Sequence, residues 1–158
     1  MGSVKLEQTS KIEENEGKGN ETKEIARQKL EEAETSENAI SIEGVDDDDR
    51  EAIDEARDEM AGIAEQQAES EAREPAREIG ESLKEVTEQS NEFAETEEQD
   101  AETASGAEGD YSEVGDKLSS DLQRSGQEFR EIAERSDQVK DELQSEVDQI
   151  ADALEGVF

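Results

Sequence analysis

The chain has 158 residues, carries 49 Asp plus Glu against 16 Lys plus Arg for a net charge of -33, and contains no His and no Cys. Those absences exclude a Ser–His triad, a cysteine nucleophile and a soft-ligand metal site, and the charge sets the chain against nucleic acid and anionic membrane. Ile, Leu, Val and Phe supply about 16% of the residues, below the ~20% at which a thick globular core stops being the default. Structure must therefore come from helices with narrow apolar stripes, or from a partner that supplies the missing surface.

Residues 1–19 read as a disordered tail, because Glu13-Glu14-Asn15-Glu16-Gly17-Lys18-Gly19 shows no apolar periodicity and holds two glycines. A short helix is predicted from Asn20, a suitable N-cap, with Ile25 and Leu30 inside it and an end near Thr35-Ser36. Residues 39–45 alternate Ile40, Ile42 and Val45 with polar neighbours and read as an extended connector. Asp46-Asp47-Asp48-Asp49 then opens a long helix, where four carboxylates favour the positive end of the helix dipole. The EF-hand spacing fails here, since Glu51 stands where the loop glycine is required.

That helix carries Ile53, Ala56, Met60 and Ile63, then Ala72, Ala76, Ile79, Leu83, Val86 and Phe93, mostly three or four apart. Pro75 lacks a backbone donor and clashes with the preceding turn, so a kink is expected near it. Ser105-Gly106-Ala107-Glu108-Gly109-Asp110 is the clearest loop, and the turn is placed at residues 104–112. A second long helix follows. Leu122, Phe129, Ser136, Leu143 and Ile150 recur every seven residues, and Leu118, Ser125, Ile132 and Val139 form a companion row before the stripe steps to Val147 and Leu154. Two long helices joined by a short loop fold back antiparallel. Reflection about residue 108 brings Val86 near Phe129 or Arg130.

The resulting fold is all-α: an elongated, coiled-coil-like antiparallel helical hairpin over residues 46–158, preceded by a weakly ordered N-terminal segment. A bare hairpin leaves part of each stripe wet. That implies a partner, another helical protein, with a hetero-oligomer favoured over a homodimer of two chains at -33. The residues expected to carry the interaction are Tyr111, Leu118, Leu122, Phe129, Ile132, Val139, Leu143 and Ile150. Gly62, Gly80 and Gly126 either admit a close partner helix or are simply poor helix residues. Tyr111, beside the turn, either caps the hairpin core with its ring or serves as a recognition determinant at the tip.

No carboxylate pair stands out as an acid and base, and no cleft is available to shift one. The expectation is a non-enzymatic protein with no catalytic residues, no cofactor and no metal. No segment approaches the ~20 apolar residues of a membrane span, and the start lacks a signal-peptide core. This leaves a cytoplasmic protein, or one exported without a cleavable signal. Crowded carboxylates are expected to titrate high, so that helicity rises with acid and with salt. A competing class is an acidic decoy or chaperone for a basic protein. Glu outnumbers Asp 35 to 14 and Lys equals Arg at 8 each, which argues against a third reading, a halophile-adapted helical protein.

A helical hairpin with an aromatic residue and a glycine at its turn resembles the WXG100 and LXG-type modules of type VII secretion. The resemblance covers roughly residues 50–158. Tyr111 with Gly109 or Gly115 stands nearest to the family's Trp-x-Gly, and Gly115 replaces the acidic residue that follows the family's export tyrosine. The resemblance implies a secretion-associated subunit, or the leader domain of an exported effector, that pairs with other helical proteins and has no catalytic residues.

Overall fold

The computed structural model describes residues 2–158. Its elements are α1 (Gly2–Ile40), α2 (Asp47–Gln67), a π-helical turn (Ala68–Arg73), α3 (Glu74–Ser105), a 3-10 turn (Gly109–Tyr111) and α4 (Ser112–Glu155). Among the described residues there is no strand, and the all-α class and the α3–α4 hairpin stand as the residue spacing implies.

The N-terminal third departs from the sequence reading. Residues 2–40 form one unbroken helix, not a tail followed by a short helix beginning at Asn20. Its buried residues are Gln8, Ile12, Asn15, Gly19, Thr22, Ala26 and Ala33. They fall into two seven-residue rows, Gln8–Asn15–Thr22 and Ile12–Gly19–Ala26–Ala33. This is a heptad seam made of amides, a hydroxyl and small residues, so apolar periodicity cannot report it. Two of the polar members are satisfied within the helix: Asn15 donates to the Lys11 carbonyl at 2.8 Å and Thr22 to the Lys18 carbonyl at 3.0 Å.

Residues 41–46 form the irregular connector, with Gly44 at φ +75°. Asp46 caps α2 by accepting the Asp49 backbone N–H at 3.1 Å, and Asp47, Asp48 and Asp49 occupy the first turn. At Pro75 the helical path continues. The helix is irregular where the kink or break near residues 71–74 is expected: Ala68–Arg73 form a wide turn, in which the Glu74 N–H bonds back to the Glu69 carbonyl, five residues earlier. The donor that Pro75 lacks falls where the hydrogen-bond ladder already changes register. Buried Ala64, Ala68, Ala72 and Ala76 step by four across this turn, which is how the seam absorbs the extra residue. Gly109, at φ +62°, sets the entry to the 3-10 turn, a conformation that a side chain would strain.

The chain divides into two compact units. The first comprises Met1–Asn15 and Glu81–Lys140. Here α3 and α4 oppose one another with Leu83 beside Ser136, Ala94 beside Gly126 and Ala104 beside Gly115. The hairpin thus folds near residue 110, about two residues later than the reflection read from the sequence, because the 3-10 turn forms part of the crossing. The buried Ser136 hydroxyl donates to the Leu83 carbonyl at 2.7 Å. At the end of the hairpin Gly115 is obligatory: a Cβ there would lie 2.4 Å from the Ala104 carbonyl oxygen. α1 packs on both helices. Gln8 donates to Ser90 of α3 at 3.2 Å, and Lys5 donates to Ser125 of α4 at 2.7 Å.

The second unit comprises Glu16–Gly80 and Asp141–Phe158. Again three helical segments meet. Gly19 of α1 lets Leu143 of α4 approach, since a Cβ on Gly19 would sit 2.9 Å from a Leu143 methyl. Lys23 bonds Glu146 at 2.6 Å, Arg57 bonds Glu37 at 2.6 Å, and Arg73 forks to Asp152 and Glu155. The third helix that the narrow stripes require is therefore supplied by the chain itself.

Candidate functional site: the end of the α3–α4 hairpin

The eight residues singled out from the sequence separate into three groups. Phe129 and Leu143 are buried in the seam of α4. Leu122, Ile132, Val139 and Ile150 are half-buried at its flank. Leu118 and Tyr111 are exposed, at 50% and 76%. The row Leu122–Phe129–Ser136–Leu143 does face the core. Its true companion, however, is Ser119–Gly126–Ala133 and then Val147 and Leu154, all buried, and not Leu118–Ser125–Ile132–Val139. Small residues occupy the companion row because helices approach closely there. Gly126 leaves room for the Ala94 carbonyl, 3.3 Å from where its Cβ would be. The Tyr111 ring does not cap the core, since the tight contact between Gly115 and Ala104 already closes that end.

Phe129 is the largest fully buried side chain. Its ring lies 5.2 Å from that of Phe93, and the Lys5 ammonium sits 4.9 Å from its centroid. Lys5 also bonds Glu128 at 2.7 Å. The Lys5 ammonium holds the Glu128 carboxyl below the usual range, chiefly by hydrogen bonding, and Lys23 does the same to Glu146. Glu98, bonded twice by Arg130, and Glu37, bonded by Arg57 and Ser41, are lowered as well. These four carboxyls lie below their ordinary range because the geometry places a cation on each.

Around the turn the charge is one-sided. From Glu85 to Asp116 the chain carries 12 acidic residues and no Lys or Arg. Tyr111, in the 3-10 turn, and Val114 and Leu118, on the first turns of α4, stand exposed. Their spacing of three and four puts them on one face. Glu97 of α3 is 5% exposed, and neither of its carboxylate oxygens has a hydrogen-bond partner among the described residues. The sequence reading missed Glu97. The signal was its place in the row Ser90–Ala94–Glu97–Ala101, where a seam position carries a carboxylate.

Elsewhere an open pocket of about 210 Å³ lies among Ala33, Met60, Ile63, Ala64 and Phe158 in the second unit. It gathers no acid–base pair. No group of three or more His, Cys, Asp or Glu among the described residues is placed to hold a metal ion, and no described helix is long and apolar enough to cross a membrane. Comparison with known protein families, with characterised proteins and with solved structures finds no match to this chain.

Proposed function

We propose that this chain is a non-enzymatic helical protein–protein interaction module. The observation that carries the reading is the exposed row Tyr111–Val114–Leu118 at the hairpin end. Three large exposed side chains gathered at the end of an otherwise acidic hairpin mark a contact surface, whereas scattered single ones would not. In its narrower form the module is a type VII secretion-associated subunit or an effector leader domain. That form rests on the resemblance of the hairpin and on the aromatic residue and glycines at its turn. The second reading, an acidic decoy for a basic protein, is favoured by the unbroken acidic stretch from Glu85 to Asp116.

Salt separates the two. An interaction module holds its partner by burying apolar surface and retains it at ~0.5 M salt, where the Debye length falls to a few ångströms. A charge decoy releases its partner there. Capture from native lysate with the full chain, at low salt and at ~0.5 M, followed by mass spectrometry, is the measurement. Loss of every captured protein at the higher salt defeats the interaction-module reading.

A further inference from the structure

At the end of the α3–α4 hairpin the small side chains face in and the large ones face out. Between the Phe93–Phe129 contact and the turn, the buried residues are Ala94, Glu97 and Ala101 of α3 and Gly115, Ser119 and Gly126 of α4. Leu122, at their level, is only half-buried. Val114 and Leu118 stand 70% and 50% exposed, each one residue before a buried small one, Gly115 and Ser119. Glu97 adds a fault to this seam. It is 5% exposed, and neither of its carboxylate oxygens has a hydrogen-bond partner among the described residues, a costly way to bury a carboxyl group. The close approach that produces this packing needs Gly115, because a Cβ there would strike the Ala104 carbonyl.

We propose that the hairpin end is a two-state device, in which the first turns of α4 rotate about their own axis and exchange Gly115 and Ser119 for Val114 and Leu118 in the seam. The structure shows the tight state, with α3 and α4 held close by small residues. In the wide state the larger side chains face α3, the axes lie roughly 1–2 Å further apart, within the range of about 8–10 Å for packed helices, and water reaches Glu97. Rows one residue apart differ by ~100° around a helix. The row of Leu122 lies between them and belongs to both seams, so a rotation of roughly 50° makes the exchange. It dies out towards Ser125, which Lys5 holds at 2.7 Å, and the buried Phe129. On the other side the 3-10 turn at Gly109–Tyr111 absorbs it. The tight state gains close backbone contact but leaves Val114 and Leu118 wet and Glu97 unpaired. The wide state reverses each of these. Packed seams of this kind switch between discrete arrangements and do not deform continuously. Taken with the interaction-module reading, the device sets whether the contact surface is presented; the two states themselves do not depend on that reading.

The chain has no Cys, so spin labels can be attached in pairs at introduced ones. Thr103→Cys with Asp116→Cys places two labels at exposed positions beside the Ala104–Gly115 contact. Ser82→Cys with Asp137→Cys places them beside the Leu83–Ser136 contact of the same unit, as a reference. Pulsed electron spin resonance should find two distance populations at the first pair, each above ~5%, and one at the second. Glu97→Leu removes the fault of the tight state and should shift the ratio towards it at least ~5-fold. Val114→Ser with Leu118→Ser removes the gain of the wide state and should shift the ratio the same way. Gly115→Ala forbids the close approach and should leave the wide population alone, with circular dichroism confirming that the helices persist.

A single population at the 103/116 pair, or the same spread at both pairs, overturns the device. So does a folded Gly115→Ala chain with the wild-type distribution, or a ratio that Glu97→Leu leaves unchanged or moves towards the wide state. If Gly115→Ala fails to fold, Glu97→Leu and the double serine variant decide. One population alongside a lysate partner retained at ~0.5 M salt removes the device and leaves the interaction-module reading standing; two populations with no partner retained there do the reverse.

Discussion

Ile12 puts the ordering of α1 to the test. It is the one large aliphatic side chain of α1 that is fully buried, and it lies between the buried Gln8 and Asn15. Ile12→Ala removes three carbons, worth about 2.4 kcal/mol at ~0.8 kcal/mol per buried methylene, and the residual cavity brings the expected loss to about 3 kcal/mol. In a domain of this size that lowers the melting temperature by roughly 6–12 °C. Ile25→Ala is the control: the same chemistry on the same helix, but at 41% exposure, and with a loss well under half as large. Circular dichroism melts give the global effect. Amide exchange over residues 2–40 shows whether α1 releases alone, in which case its protection falls on the order of 100-fold while α3 and α4 keep theirs. Equal melts for the two variants, or wild-type α1 amides exchanging at unfolded rates, would refute the packing of α1 and restore the disordered tail.

Other outcomes follow from particular contacts. Gly115→Ala should destabilise, because its Cβ would strike the Ala104 carbonyl, whereas Gly62→Ala, which meets nothing within 4 Å, should stabilise by about 0.5–1 kcal/mol; paired melts decide. Glu37, Glu98, Glu128 and Glu146 have folded pKa values below their unfolded ones, so their contribution is present above the unfolded value near ~4.3 and is lost as pH falls through the folded values. Carboxyl resonances followed by NMR should titrate lower at these four than at a reference glutamate in the unfolded chain, and equal or higher midpoints contradict the ion pairs. Ser136→Ala should cost about 1 kcal/mol in urea titration, since the Leu83 carbonyl keeps its bond from Thr87 and only the cross-helix bond disappears.

The hairpin was legible because three-four spacing survives a poor composition. Phe129, Leu143, Val147 and Leu154 stand out as large apolar residues at seam positions, and Gly109 marks the turn. The companion row was misplaced for the same reason that the first was found. Hydropathy ranks Leu118, Ile132 and Val139 above Ser119, Gly126 and Ala133, yet close helix approach selects small side chains. α1 was illegible on the same scale, since four of its seven buried positions are Gln8, Asn15, Gly19 and Thr22. A search for seven-residue recurrence in side-chain size would have recovered both rows. Ala64, Ala68, Ala72 and Ala76 carried a further signal: three steps of four without a three announce an inserted residue, and the structure accommodates it as a π turn ahead of Pro75.

Thin seams explain why a third helix is needed. A helix with one stripe of alanine, serine and glycine gains little from a single neighbour, because small side chains bury little area apiece. Packing on two neighbours raises that gain without adding apolar residues. Each compact unit meets this requirement with a segment of α1 laid against segments of the other helices. The exposed residues at the hairpin end of the first unit differ in kind from the seam. Tyr111, Val114 and Leu118 are large where the seam is small, and they project from positions that α1 covers one or two heptads further on. Large apolar side chains on a surface this acidic serve no purpose in solubility. They are the exposed surface on which the interaction-module reading stands.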